Sequence, residues 1–276
     1  MQQLKEDYSK LFPLFFEEFP HLFQDRSNYT FDLYKWAVGT IWSRAFDVKI
    51  KKKKTRVLAP FADMFNHNPT VVEEHKFDEN TNHLICKTST LFKKGEQVFI
   101  NYGSFPNHKL LRLYGFSLQN NPHDTVEIWA PMSPQAPLYD LKMEILNKHG
   151  ISNEQAFDLR NGKVPTELFG TLRVQRAEAL EFVHIDKAFT TPISPQNEVL
   201  VLDSLIAALQ SMLSQYSTSI ESDQKLIEDR KIFERSPKRA FAIILRMSEQ
   251  EILRRDLQLL QVTLILFFFV LINDRI

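Results

Sequence analysis

Three short stretches decide how this chain is read: Asp63-Met64-Phe65-Asn66-His67-Asn68, then Gly95-Glu96-Gln97-Val98-Phe99-Ile100-Asn101-Tyr102-Gly103, then Leu113-Tyr114-Gly115-Phe116. Within about sixty residues they bring an Asn-His pair, a tyrosine closing a strand-like run and a second aromatic pair. In Gln97–Tyr102, period-two alternation puts Val98, Ile100 and Tyr102 on one face. If Val98 and Ile100 face the core, Tyr102 presents its hydroxyl inward where the strand ends. Lys94-Gly95 reads as a hairpin turn joining this strand to an earlier one over Leu84–Thr90. Val57-Leu58-Ala59 reads as a third strand, stopped by Pro60.

Working outward, residues 1–46 read as helical. Tyr8, Leu11, Phe12, Phe15, Phe16 and Phe19 recur at spacings of three and four, and Pro20 ends that run. Thr30 suits the N-cap of a second helix carrying Phe31, Tyr34, Trp36, Ile41 and Phe46. Lys51–Lys54 reads as a solvated loop between that helix and a strand, with a nuclear-import signal as the alternative. Pro106–Tyr114 reads as a short helix with Pro106 in its first turn and Gly115 in the left-handed position after its end.

From Leu138 onward the pattern is helical throughout. Leu138, Leu141, Ile145 and Leu146 share one face, closed by Gly150. Leu202, Leu205, Ile206, Leu209, Leu213 and Tyr216 form a long stripe, and Ser248 with Glu251 reads as a capping box opening another helix. Pro131, Pro134 and Pro137 mark the change of character. The expected organisation is therefore α+β over residues 1–130, an all-α bundle over 131–260, and an apolar tail over 261–276.

Composition excludes several classes. The 34 basic residues balance 34 acidic ones, which argues against nucleic acid as a partner. The one cysteine, Cys86, rules out an intrachain disulfide and a cysteine-rich zinc cluster. It points to a reducing compartment, cytoplasm or nucleus, and its strand-like setting reads as a small buried hydrophobe. An organelle stays open as a location. No signal peptide is read at Met1–Ser9. Val262–Ile272 is apolar but shorter than the roughly twenty residues that span a bilayer. It reads as a buried last helix or strand, with a tail anchor and a segment foreign to the fold as alternatives. A membrane is not an expected partner, and a monomer is expected.

Asn66-His67 alone would be read as a turn. Together, however, the three stretches resemble SET-domain protein methyltransferases. Asp63–Asn68 is similar to that family's Asn-His motif, and Gly95–Gly103 to the second motif, where the chain passes beneath the first in a pseudoknot. Leu111–Phe116 with Asn121-Pro122-His123-Asp124, and Trp36-Ala37 with Ser43-Arg44, resemble the Rubisco large-subunit methyltransferase-like branch. The helical part, including Leu172-Arg173, resembles that branch's substrate-binding domain. The resemblance covers residues 8–260.

It implies methyl transfer from S-adenosyl-L-methionine to a protein side chain, usually lysine, with the protein substrate bound through the helical C-terminal domain. Tyr102 is implied as the catalytic tyrosine. Ser43, Arg44, Asn66, His67, Tyr102, Tyr114 and Phe116 are implied as cofactor-binding, although Tyr114 and Phe116 read equally well as core. The family's Gly-x-Gly strand segment has no counterpart ahead of Gly39, so a partial SET domain beginning inside its helical insertion is expected. A non-catalytic binding module is the alternative. A metal site built from His67, His75, His83 and Asp63, Glu73 or Glu74 fits no usual ligand spacing, and no metal is expected.

Overall fold

The computed structural model describes residues 2–273, with side chains through residue 269. The chain divides into two compact units. One comprises the chain up to Phe105 together with Arg112–Gly115; the other comprises Pro106–Leu111 and the chain from Phe116 onward. The α+β class holds: helices are joined by short strand pairs.

In the first unit, helix α1 (Gln2–Glu18) and helix α2 (Phe31–Arg44) meet through aromatic rings. Tyr8 lies 4.5 Å from Phe12 and 5.6 Å from both Phe31 and Tyr34, and its hydroxyl donates to the Tyr29 carbonyl at 2.5 Å. Thr30 caps α2 as expected, its hydroxyl accepting from the Leu33 N–H at 3.4 Å. Trp36 and Ile41 lie on α2 and are exposed.

Four strand features differ from the sequence expectation. Strand β1 (Ala45–Ile50) follows α2 directly and pairs antiparallel with β2 (Lys53–Leu58). Phe46 is therefore in a strand, and the lysine run is a hairpin tip rather than a helix-to-strand loop. After β3 (Asn66–His67), strands β4 (Glu73–Asp78) and β5 (His83–Thr88) form a second hairpin. Its loop is set by Asp78, whose carboxylate accepts from the Asn80 N–H (3.0 Å) and the Thr81 hydroxyl (2.9 Å), with Asn82 at φ 57°. The partner of β5 is thus β4, not the strand that follows it. The turn at Gly95 (φ 92°) exists, closed by the Glu96 N–H on the Lys93 carbonyl (3.0 Å), but it leads into the two-residue strand β6 (Phe99–Ile100). Strand β6 pairs in parallel with β3. Parallel pairing needs a crossover, which β4 and β5 supply. Helix α3 (Asn107–Tyr114) and Gly115 at φ 83° match expectation.

The second unit has one large core. Strand β7 (Val126–Trp129) pairs antiparallel with β8 (Ala156–Leu159) on either side of helix α4 (Tyr139–Lys148), so this part is not wholly helical. On α4 the buried face carries Lys142 and Leu146, while Leu138 and Leu141 are exposed. The Lys142 ammonium escapes isolation by donating to the Gln175 carbonyl at 2.9 Å. Helices α5 (Thr166–Arg176) and α6 (Pro195–Ser214) pack together, with Leu168, Val174, Val201, Leu205 and Leu209 fully buried. Arg173 and Glu198 form a buried two-point pair, Nε to Oε2 at 2.7 Å and Nη2 to Oε1 at 2.8 Å.

Helices α7 (Ile220–Glu228) and α8 (Lys231–Arg235) precede α9 (Pro237–Asn273). Helix α9 begins eleven residues before Ser248. That hydroxyl donates back to the Leu245 carbonyl at 2.9 Å, so Ser248 caps nothing. The apolar tail is a continuation of α9. Of its described side chains, Val262, Ile265, Leu266, Phe268 and Phe269 are exposed, while Phe267 is half-buried and Leu264 packs against the core; those of residues 270–272 lie outside the described residues. Among the described residues, no helix is long and apolar enough to cross a membrane.

Candidate active site

The centre of the first unit is the parallel pair β3–β6, which aligns Asn66 with Phe99 and His67 with Ile100. The pairing continues into the Asn68 N–H, which donates to the Ile100 carbonyl at 3.0 Å. Asn101 ties the two chain passes together. Its amide donates to the Pro69 and Val71 carbonyls (3.3 and 3.4 Å), and its carbonyl oxygen accepts from the Gly103 N–H (2.9 Å). Gly103 has φ 130°, and a Cβ there would press on the Phe105 ring at 2.9 Å.

His67 is buried, and its Nδ1 accepts the backbone N–H of Tyr102 at 3.0 Å. An imidazole accepting at Nδ1 carries its proton on Nε2. The His67 ring also stacks on Tyr102, with centroids 5.0 Å apart and planes 28° apart. The histidine thus fixes both backbone and ring of the tyrosine. The Tyr102 hydroxyl donates to the Phe65 carbonyl at 2.6 Å, which sets the direction of its proton. Burial raises the phenol above its ordinary value, the neighbouring Tyr114 adds to this, and the Arg44 guanidinium opposes it. Tyr102 is therefore a neutral hydroxyl at physiological pH.

A cavity of 580 Å³ opens beside it, within the range of small-molecule sites. Six aromatic side chains line it: Trp42, Phe46, Phe65, Tyr102, Phe105 and Tyr114. Tyr102 and Tyr114 stand 4.7 Å apart. The polar rim carries Arg44, Asp47, Arg56 and Asp63. Arg44 Nη1 donates to both the side chain and the backbone carbonyl of Asp63, each at 3.2 Å. The other carboxylate oxygen of Asp63, Oδ1, is buried and has no hydrogen-bond partner. Asp47 is held by Arg56 at 2.8 and 3.1 Å.

Of the residues singled out in the sequence, Ser43, Arg44, Tyr102 and Tyr114 line this cavity. The Ser43 hydroxyl is turned back onto its own helix, donating to the Gly39 carbonyl at 2.9 Å. Asn66 and His67 stand on β3, outside the lining. Phe116 belongs to the second unit, half-buried, and packs edge-on to Phe241 at 6.5 Å. Asp47, Arg56 and Phe105 belong to no motif in the sequence, and Phe46 is expected on the second helix. Phe46, Asp47 and Arg56 lie on the β1–β2 hairpin, which carries no turn signal. Phe105 had a signal, since it follows the Tyr102-Gly103 turn. Among the described residues, no group of three or more His, Cys, Asp and Glu could hold a metal ion. His75 instead pairs with Glu73 at 3.1 Å.

Residues 133–253 match the family model for Rubisco LSMT substrate-binding. Actin-histidine N-methyltransferase of Xenopus tropicalis is 31% identical over 252 residues, 84% of this chain and 42% of that protein. The same enzyme of Gallus gallus is 32% identical over 249 residues, 83% and 41%. The fold superposes on the SET domain of LSMT bound to lysine and AdoHcy with TM-score 0.80 at 26% identity, covering 95% of this chain and 63% of that one. The chain is homologous to the actin-histidine N-methyltransferases and shares its fold with the SET domain of LSMT. Rubisco LSMT bound to sinefungin and monomethyllysine agrees, with TM-score 0.81, 26% identity, and 96% and 62% covered. The chain spans about two fifths of the length of the curated relatives it matches.

Proposed function

We propose that this chain carries the methyl-transfer site of an S-adenosylmethionine-dependent protein N-methyltransferase, with lysine as the acceptor. The observation that carries the reading is Tyr102: a neutral phenol, pinned by His67 and Phe65, at the wall of an aromatic cavity that also holds Arg44. The residues present suit the cofactor. Arg44 offers a guanidinium for a carboxylate, and the buried, partnerless Asp63 Oδ1 suits an ammonium, as a zwitterionic amino-acid head group requires. Aromatic faces beside them favour a sulfonium. The cofactor, when bound, supplies an electrophilic methyl group.

The chain's own part is to prepare the acceptor. A lysine has a reference pKa near 10.4 and must be neutral to attack. Transfer into the hollow between Phe46, Phe65, Tyr102 and Tyr114 removes water and lowers that value. With its proton committed to the Phe65 carbonyl, the Tyr102 oxygen is the acceptor assigned to an N–H of the incoming amine. That contact aims the nitrogen lone pair along the line of displacement, so the contribution is positioning rather than covalent chemistry.

Curated relatives are named for histidine and the matched structures hold lysine or methyllysine, so the acceptor is tested directly. Labelled S-adenosylmethionine is supplied with lysine-containing peptides and with matched histidine peptides. Label is expected on lysine and should fall at least about a hundredfold in Tyr102→Phe, the size of a lost orienting hydrogen bond in such sites. Label on histidine alone would refute the acceptor assignment, and undiminished transfer by Tyr102→Phe would refute the role of the tyrosine. Failure to bind cofactor at all would leave the chain as a protein-binding module.

A further inference from the structure

The lysine run has no part in the chemistry just described, yet its placement is unusual. Lys49, Lys51, Lys52, Lys53, Lys54 and Arg56 crowd one hairpin, β1–β2, and all six are exposed. The chain as a whole is neutral, with 34 basic and 34 acidic residues, so this is a concentrated local excess. Among the described residues, two carboxylates reach it. Asp47 is taken by Arg56 and stands 3.4 Å from Lys54 Nζ, and Glu79 accepts the backbone N–H of Lys51 at 2.5 Å.

The tip is built against local preference in two ways. Lys51 (φ 49°) and Lys52 (φ 64°) both sit in the left-handed region, where two-residue hairpin turns favour Asn and Gly. Lys49 stands directly opposite Lys54 in the ladder, and like charges facing across strands destabilise a hairpin. A lysine side chain does nothing to form such a turn. Local rules broken together at one exposed point mark a surface kept for a reason other than stability.

The base of the same hairpin is a wall of the cavity, through Ala45, Phe46, Asp47 and Arg56. At about 3.3 Å per residue, the tip lies about 13 Å along the strand from Asp47. We propose that the Lys49–Lys54 tip docks an acidic stretch of the protein substrate, placing Asp or Glu side chains roughly four extended residues from the acceptor. The word substrate rests on the methyltransferase reading; the docking of an acidic chain rests on the hairpin alone. Exposed cations act here by complementarity and steering, so the interaction weakens steeply with salt.

The test is fluorescence anisotropy of a short labelled peptide rich in Asp and Glu, beside its Asn/Gln counterpart, at low and at physiological salt. The variant Lys51→Asn/Lys52→Gly removes two charges and installs the residues this turn prefers. Its affinity for the acidic peptide should fall about threefold to tenfold, as expected for two exposed ion pairs, while its melting temperature holds or rises. An acidic peptide that does not bind, or binds the variant equally well, overturns the proposal. Preference for an RNA oligomer of equal charge also overturns it and assigns the tip to nucleic acid. Titrating S-adenosylmethionine into the same preparations reads the cavity separately. Cofactor binding with insensitive peptide binding rejects the tip alone; charge-sensitive peptide binding without cofactor binding rejects the methyltransferase reading alone.

Discussion

Tyr102 shows how little freedom a side chain is left when the backbone around it is crossed. Its N–H is given to His67, its ring lies on the same imidazole, and its hydroxyl is given to Phe65. These three contacts come from Phe65 and His67 at β3, so the tyrosine, two residues past β6, is oriented from the earlier chain pass. Asp256, like Glu198 and Asp223, is a buried acid of the second unit. It is wholly buried on α9; one oxygen accepts the Gly162 N–H at 2.7 Å and the other has no partner. Burial pushes its carboxyl up to about 6, against the Gly162 bond and Arg255, from an ordinary value near 3.8. A folded-state value above the unfolded one gives a contribution fully present below the unfolded pKa and lost as pH rises through about 6. Asp256→Asn removes that loss while keeping the oxygen that meets Gly162. Relative to the parent, the variant should be about 1 kcal/mol more favoured at pH 7.5 than at pH 5 in urea unfolding. Equal pH dependence of the two proteins would show that Asp256 is not buried in its charged form.

At the scale of elements, long periodic patterns were legible and short pairings were not. Helices α2 and α6 declare themselves, one through the Thr30 cap and the other through a leucine stripe whose Leu202, Leu205 and Leu209 are all buried. Helix α3 with Gly115 was equally clear. The β1–β2 hairpin was hidden because its turn carries two lysines in place of Asn-Gly, so a local signal is missing where tertiary pairing decides. Strands β3 and β6, two residues each, are too short for alternation to register, and their pairing is non-local. The motif residues around Tyr102 were legible only as a constellation. The hairpin wall, Phe46, Asp47 and Arg56, was lost with the hairpin. Packing between elements gives one further test. Gly170 on α5 faces the Phe189 ring, which a Cβ would overlap, and that ring is itself stacked on His149 at 4.0 Å. Alanine is the better helix former, yet Gly170→Ala should destabilise the protein by about 1–3 kcal/mol in denaturant unfolding. A rise in stability would mean that Phe189 can move aside freely.

At the scale of the whole molecule, charge and chemistry are distributed unevenly. The aromatic cavity, Tyr102 and the cationic hairpin all belong to the first unit. The segment that matches the substrate-binding family model, residues 133–253, belongs to the second, where the large apolar core and the Arg173–Glu198 pair lie. The account therefore turns on whether the first unit holds the cofactor. Arg44 decides this, because among the arginines that line the cavity it is the one bonded to Asp63, whose other oxygen is partnerless. The direct measurement is calorimetric titration of S-adenosylmethionine into the chain and into its Arg44→Ala variant. The account predicts binding on the order of micromolar in the parent and about tenfold or more weaker in Arg44→Ala, the size of a charge-assisted hydrogen bond. No heat of binding in the parent, or equal affinity in the two proteins, would contradict it.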